Sequence, residues 1–322
     1  MSFALAITGP TASGKTALSL EVAKRYGCEI ISLDSMQIYK EMDIGTAKAT
    51  KEERAAVAHH MIDFLSPLES YSAEDYRDGA MRVLREIVAR GNLPLFVGGT
   101  GLYMDTVIRG TALTSPPSSE ELREKLLACA VTDSEREALW QRLLEIDPAS
   151  AEKTHKNNVR RVVRALEIYE LTGKTKTYFD ELSRTSLPEV TVGMVTLDFH
   201  NRDNLYKRVD MRVDEMIGEG LVNEVSSLLS RGLLDKNTTA AQAIGYKEIV
   251  EYIEGKYTLD EAVENLKLAT RRYAKRQLTW FRHNKDAYRL FIDREDGTMK
   301  DKEELVLELF GVVDGLIKSN VN

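Results

Sequence analysis

The amino-acid sequence predicts an α/β protein: a parallel sheet flanked by helices, with an all-helical insertion in the chain. Three observations lead there. The apolar run "FALAIT" delivers the chain straight into the glycine-spaced string "GPTASGKT", residues 9 to 16. Further apolar runs, "CEIISLD" and "LPLFVGG", alternate with helical patterns, as βαβ units do. Between about residues 114 and 187 strand signals stop and only helical patterns remain.

The first strand runs from Phe3 to Thr8, and the helical run "ALSLEVAKRY" follows Thr16. Strand, turn, Lys-Thr and helix fit G-x-x-x-x-G-K-[ST] in full, the pattern of a phosphate-binding P-loop. Its physics is a nest of backbone N–H groups at a helix N-terminus, where the partial positive charge of the helix attracts an anion. Gly9 and Gly14 permit the close turn, and Pro10, Thr11, Ala12 and Ser13 complete the cradle. Lys15 adds a point charge on the outer phosphates, and the Thr16 hydroxyl suits a Mg²⁺ that bridges them. The class narrows to a P-loop NTPase-like sheet, and nucleotide binding, ATP above all, is the first expectation.

The second strand, "CEIISLD", ends on Asp34. A helix is expected over 73–91, because Ser72 followed by Asp75 is a capping signature and Gly91 stands where a left-handed C-terminal residue belongs. The next strand, "LPLFVGG", leads into Thr100. "TSPPSSEE" then marks a boundary, followed by "LREKLLACA", "SEREALWQRLLEI" and "NNVRRVVRALEIYELTG". The run "VTVGMVTLDF" returns to the sheet. The expected domains are therefore 1–113 with 188–322, the catalytic core with its C-terminal helices, and a helical insertion over 114–187. No internal repeat or low-complexity tract is found.

Ligands of open parallel sheets bind beyond the carboxyl ends of the strands. Lys15, Asp34 and Thr100 all fall at such ends, so a shared cleft is expected, although an N-cap Asp and a turn Thr would explain the latter two as well.

With 322 residues, 43% hydrophobic and 30% charged, the chain is a globular protein of one large or two moderate domains. The apolar start is about six residues long, lacks a basic leader and ends in the P-loop, so neither signal peptide nor membrane span is expected, and cytoplasm is the default. Cys28 and Cys129 lack neighbours at zinc spacing and read as free thiols. The adjacent His59 and His60 point apart on a helix or strand and read as structural. A net charge of −7 argues against a nucleic-acid footprint over the whole surface, so local basic patches must carry any such role.

Two such patches exist. In "ATRRYAKRQLTWFRHNK" a helix places Arg271 one turn from Lys275 and Arg272 one turn from Arg276, interleaved with Tyr273, Trp280 and Phe281. Cations beside aromatics suit phosphate contacts and base stacking, although a solvated basic helix with aromatics in the core has the same pattern. In "HKNNVRRVVRALE", Arg160 and Arg164 share a face beside Arg161. A small-molecule or nucleoside kinase remains the alternative reading, and a nucleotide-dependent RNA-binding module without catalysis a third. A kinase would need an acid near Mg²⁺, yet "LFVGG" ends in glycines where such an acid might have stood.

The motifs "GPTASGKT", "DSMQIYKEMDIGTAK", "HHMID", "GGTGLY", "RVVRALE", "RVDEMIGEGLVNEV", "QAIGYKE" and "KRQLTWFR" occur in order along nearly the whole chain. In them the sequence resembles the tRNA dimethylallyltransferases (tRNA isopentenyltransferases). The resemblance implies transfer of a dimethylallyl group from dimethylallyl diphosphate to N6 of the adenosine 3′ of the anticodon, tRNA position 37. The P-loop, residues Gly9 to Thr16, would then hold the donor diphosphate with Mg²⁺ on Thr16, helped by Arg208 or, one turn later, Arg212. Lys15, Arg208, Asp34 as general base and Thr100 would form the catalytic group.

By the same likeness Ser35, Met36 and Gln37 would line the flipped base beside Asp34 and Thr100. The anticodon stem-loop would meet Arg160, Arg161, Val162, Val163 and Arg164, then Gln242, Ala243, Ile244, Gly245, Tyr246 and Lys247. It would also meet Lys275, Arg276, Gln277, Leu278, Thr279, Trp280, Phe281 and Arg282. No membrane and no protein partner are implied. After "KEELVLELFGVVDGLIK" the zinc finger of eukaryotic relatives is missing, which points to the bacterial type.

Overall fold

Successive side chains of β1, Ser2–Thr8, point to opposite faces, so Leu5 and Ile7 enter one core while Ala4 and Ala6 enter another. A strand that is apolar on both faces belongs inside a sheet covered on both sides. The structure, a computed structural model, describes residues 2–108, 116–183, 190–236 and 238–321. These fall into two compact units, residues 2–108 with 190–321 and residues 116–183. The expected boundaries at 113/114 and 187/188 lie outside the described residues.

In the first unit β1 is followed by α1, Lys15–Tyr26; β2, Cys28–Leu33; α2, Lys51–Ala56; and β3, His59–His60. Then come α3, Ala73–Ala89; β4, Leu93–Gly98; and α4, Gly101–Ile108. The second unit holds α5, Glu120–Ala128; α6, Asp133–Ile146; α7, Pro148–Glu152; α8, Val159–Thr172; and α9, Lys176–Ser183. The first unit resumes with β5, Val190–Asp198; α10, Arg202–Glu219; and α11, Leu221–Ser230. It closes with α12, Tyr246–Ile253; α13, Leu259–Arg282; β6, Tyr288–Phe291; and α14, Lys302–Val321.

Among the described residues the sheet has six strands in the order β3-β2-β4-β1-β5-β6, with every neighbouring pair parallel. Its two faces are covered separately. Leu5, Ile7, Ile30 and Leu95 pack with α1, α10, α13 and α14, whereas Ile31, Phe96 and Met194 pack with α3 and α4. A third apolar cluster joins Ile38, Tyr39 and Met42 to Val213, Leu221, Val225 and Tyr246. It anchors the segment after β2 to α10, α11 and α12.

Local rules explain the element ends. The Ser72 hydroxyl accepts from Asp75 N (3.1 Å) and the Asp75 carboxylate from Ser72 N (2.8 Å), closing the expected capping box, and Gly91 adopts φ 79°. His59 and His60 form the two-residue edge strand β3, too short for periodicity to announce. The His59 ring is held by Val57 O (2.8 Å), and His60 Nε2 meets Glu29 Oε2 (2.6 Å). Among the described residues no helix is long and apolar enough to cross a membrane. Cys28 is buried and Cys129 exposed, both free.

The second unit closes on its own core of Leu126, Leu139, Leu143, Val162, Val163 and Leu166. Its buried Glu167 is satisfied by Arg164 (2.8 Å), Arg123 (3.1 Å) and Ser119 N (2.9 Å).

Glu29, at the start of β2, is a comparable buried charge in the first unit. Arg90 donates Nε to Oε1 (3.0 Å) and Nη2 to Oε2 (2.8 Å), and Asn92 donates to Oε1 (2.7 Å). These bonds, Arg90's foremost, hold its carboxyl down to about 2 against the opposing effect of burial. A depressed carboxyl contributes stability that is present above its ordinary value near 4.5 and lost as pH falls toward 2. Glu29→Gln is expected to cost roughly 2–4 kcal/mol at pH 7. Urea midpoints should show the gap between variant and wild type shrinking between pH 4.5 and pH 2; a constant gap would mean the ionised pair contributes nothing.

Candidate active site

Three adjacent strands end in one row. Leu33 of β2 and Thr8 of β1 both register with Gly98 of β4, so the segments after them leave the sheet side by side. The chain must pass closely there. A Cβ on Gly98 would lie 2.4 Å from Leu33 O, and one on Gly99 would lie 2.2 Å from Gln277 Nε2. Asp34, Thr100 and the P-loop therefore meet on one rim by strand register alone.

Within the P-loop, Gly9 and Gly14 adopt φ 143° and 90°, and Ala12 adopts φ 61°, a left-handed conformation that costs a non-glycine residue about 1 kcal/mol or more. Neighbouring side chains hold that turn. Arg208 Nε donates to Ala12 O (2.8 Å), Lys15 Nζ to Pro10 O (2.7 Å), and Thr11 N to Gln277 Oε1 (2.8 Å). The Gln277 amide continues to Gly99 O (3.0 Å), joining the P-loop to the turn after β4. Ser13 Oγ is buried and has no protein partner among the described residues. A buried hydroxyl within the P-loop is thus left without an answer from the protein.

The electrostatics agree. Burial first, then Arg212, pushes the Lys15 ammonium down to about 7, with Asp34 opposing. Burial likewise lowers Arg208 and Arg212, and Asp34 is the main counterweight at Arg212. Three cations crowded around glycine amides form a site that an anion would relieve.

Asp34 Oδ1 accepts from Met36 N (2.9 Å) and Gln37 N (3.4 Å), which fixes the carboxylate over the turn that follows it. It is thus a turn-capping residue as well as a cleft carboxylate. Thr100 Oγ1 accepts from Ser35 N (3.2 Å). Tyr273 lines the cleft beside Asp34 and Gln277, and burial first, then Asp34, pushes its phenol well above its ordinary value.

The cleft has three lobes. One, of about 300 Å³, brings Lys15 and Thr16 together with Asp34, Arg212 and Tyr273. A second, of about 330 Å³, is lined by Asp34, Ser35, Met36, Ala243, Ile244, Gly245, Tyr273 and Arg276. The third, of about 670 Å³, lies against Gly14, Thr16, Arg208 and Arg212, with Met211, Met216 and Met299 as apolar lining. Arg212 borders all three and Arg208 the third, so both arginines meet the P-loop.

Several expected RNA contacts are corrected by burial. Val162 and Val163 lie in the core of the second unit, and Arg164 also donates to Pro116 O (2.9 Å) and Pro117 O (3.3 Å). Arg160 and Arg161 are the exposed cations of α8. Tyr246 is buried against Glu224; Ala243 packs in the same cluster but also lines the second lobe, and Gln242 and Lys247 are exposed.

On α13 the side chains of Gln277, Leu278 and Phe281 point inward, and Trp280 packs against Gly101. Arg282 pairs with the buried Asp198 through two bonds (3.0 and 2.7 Å). Lys275, Arg276 and Thr279 remain exposed. Gln37 lines the lobe of Lys15 and Asp34 and also braces a loop, its amide bonding Ser32 Oγ, Thr46 O and Ala47 O. What the sequence reading missed is the place of Tyr273 beside Asp34 and Gln277 as a P-loop strut; their separation of four on one helix was the available signal.

A cation at the P-loop would have to be held chiefly by Thr16 and by oxygens of its anion, because the described residues contain no cluster of three His, Cys, Asp or Glu side chains. A single threonine hydroxyl such as that of Thr16 beside a phosphate cradle suits Mg²⁺ bound through a phosphate, which carries most of its own ligands as water.

Residues 37–284 match the family model for IPP transferase. A tRNA dimethylallyltransferase of Thermoanaerobacter sp. (strain X514) is 45% identical over 306 residues, covering 95% of this chain and 96% of that one. That of Carboxydothermus hydrogenoformans is 47% identical over 302 residues, covering 94% and 96%. The full-length tRNA isopentenylpyrophosphate transferase from Bacillus halodurans superposes with TM-score 0.73 at 42% identity, covering 99% of this chain and 98% of that one. A eukaryotic dimethylallyltransferase acting on tRNA gives 0.74 at 30% identity, covering 90% and 74%.

Lys15 supplies a test of the anion site. An anion bound beside it favours the charged ammonium, so above about pH 7 binding must take up a proton at Lys15 and affinity must fall as pH rises. Titration calorimetry with inorganic diphosphate is expected to show affinity weakening by up to roughly tenfold per pH unit above 7. Lys15→Met should bind more weakly at pH 6.5 and lose this component. An equal pH slope in both proteins would remove Lys15 from the anion site.

Proposed function

The chain belongs to the IPP transferase family and acts as a tRNA prenyltransferase; we propose that it moves the dimethylallyl group of dimethylallyl diphosphate to N6 of the adenosine on the 3′ side of the anticodon, position 37. One observation carries this reading. The phosphate cradle with Lys15, Thr16 and Arg212 and the carboxylate of Asp34 border the same lobe, so a departing diphosphate and an attacking amine can share it.

Breaking the allylic C–O bond places negative charge on the departing diphosphate. The P-loop amides, Lys15, Arg208 and Arg212 are arranged for that charge and stabilise it as it develops. A Mg²⁺ held by Thr16 and the donor oxygens would neutralise more of it. The N6 lone pair forms the new bond to carbon while the diphosphate takes the electrons of the old one. N6 must then shed a proton. Because Oδ1 of Asp34 is oriented by Met36 N and Gln37 N, Oδ2 is left to accept that proton.

The lobe lined by Ser35, Met36 and Tyr273 takes the extruded adenine, with Arg276 at its edge and the exposed Lys275 on the same helix for RNA phosphates. Arg160 and Arg161 of the second unit offer further phosphate contacts. A small-molecule kinase is not favoured, since relatives matching nearly the whole chain are tRNA dimethylallyltransferases.

The test is direct. Incubation with unmodified tRNA, Mg²⁺ and dimethylallyl diphosphate, followed by digestion and mass spectrometry, should yield an adenosine heavier by one dimethylallyl group. Asp34→Asn should lower turnover by roughly 10²-fold or more with tRNA binding retained. Near-normal turnover in that variant would take the base role from Asp34, and the absence of modified adenosine with wild-type protein would overturn the reaction.

A further inference from the structure

The segment from Asp43 to Ala47 is a ridge that borders all three lobes of the cleft. Ile44 and Ala47 line the lobe of Arg208, Gly45 and Thr46 that of Met36 and Tyr273, and Thr46 and Ala47 the lobe that holds Lys15 and Asp34. The ridge belongs to no helix or strand, and Ala47 adopts φ 47°, in the left-handed region that non-glycine residues avoid. Such a segment keeps its shape only if its surroundings impose it.

One carboxylate supplies much of that restraint. Glu224 on α11 accepts from three consecutive backbone N–H groups: Asp43 (3.0 Å) and Ile44 (2.8 Å) on Oε2, and Gly45 (3.2 Å) on Oε1. Successive amides converging on one anion form a nest, and bonds to a charged acceptor are the stronger kind. The buried Tyr246 completes the arrangement by donating its hydroxyl to Oε1 (2.6 Å). Its ring lies so close to the ridge that a Cβ on Gly45 would stand 2.5 Å away. From the other side Gln37 holds the carbonyls of Thr46 and Ala47.

We propose that Glu224 is a positioning residue for prenyl transfer: by clamping the amides of Asp43, Ile44 and Gly45 it fixes the wall shared by the diphosphate and adenine lobes, and so the separation of donor carbon and N6. The inference rests on the prenyl-transfer reading of the cleft. It does not rest on α11 needing Glu224 to fold, since Leu221, Val225 and Leu228 bury that helix independently. Misplacement by about 1 Å is enough to slow a reaction by about 10²-fold while binding survives.

Glu224→Gln keeps the size of the side chain but turns one acceptor into an NH₂ group that cannot receive an amide proton. With saturating dimethylallyl diphosphate and unmodified tRNA, its single-turnover rate is expected to fall about 30- to 100-fold while tRNA affinity changes less than about twofold. Tyr246→Phe retains the ring and removes one donor to the carboxylate, so a fall of about 3- to 10-fold is expected. Circular dichroism at the assay temperature reports the folded fraction of each variant. The proposal is overturned if Glu224→Gln reacts within threefold of wild type, if its loss matches the loss of folded protein, or if tRNA affinity falls as far as the rate. Wild-type protein that makes no prenylated adenosine would instead sink the reaction assignment.

Discussion

The register of three parallel strands is the constraint on which the site depends. Because Thr8 and Leu33 both align with Gly98, the P-loop, Asp34 and Thr100 emerge within one row, and no long-range loop has to bring them together. A parallel sheet is buried on both faces, so slipping one strand would move apolar side chains between the two cores. The arrangement of the chemistry is thus protected by the energetics of the core rather than by the site residues themselves. The glycines at 98 and 99 are the cost of this closeness, since any Cβ there would strike Leu33 or Gln277.

The site is destabilised on its own terms. Lys15, Arg208 and Arg212 share one cleft, Ala12 and Ala47 adopt left-handed backbone, and Ser13 Oγ is buried without a protein partner. Each of these raises the energy of the protein alone and is relieved by, or fixed for, a polyanion. Preorganised positive charge is what a departing diphosphate requires, because no reorganisation remains to be done as the bond breaks. Surrounding packing carries the strain: the Gln277 amide braces the P-loop, and Gln37 with Glu224 braces the ridge.

How much of this was legible in the sequence follows from the kind of signal each residue gives. The P-loop could be read because its geometry demands glycines and a Lys-Thr pair at fixed spacing, and α3 because its caps use side chains that bond locally. Asp34 and Thr100 could be placed at strand ends. The inward turn of Gln277, Leu278 and Phe281 could not be read from a basic, aromatic helix, because composition does not say which face meets the sheet. Only the likeness to the family motif groups Val162 and Val163 with the arginines around them; the amphipathic pattern of α8 sends them inward, and they lie in the core. Glu224 stands 179 to 181 residues from its amides, and no local pattern records such a partnership.

The two faces of α13 explain why one helix carries both kinds of residue. Gln277 and Tyr273 lie on its inner side against the P-loop and Thr100, while Lys275 and Arg276 face outward one or two residues away. Arg271 ties the same helix to Asp210 on α10 (2.7 Å), two residues from both Arg208 and Arg212. Buried contacts at Ala274, Leu278 and Phe281 leave the helix no room to shift by small amounts. On the proposed reading, a cation held on so rigid a support would meet an RNA phosphate at a fixed distance from Asp34, and the adenine linked to that phosphate would be placed by the same helix that braces the phosphate cradle. Loops in that position would bind tRNA as well but would not fix where N6 arrives.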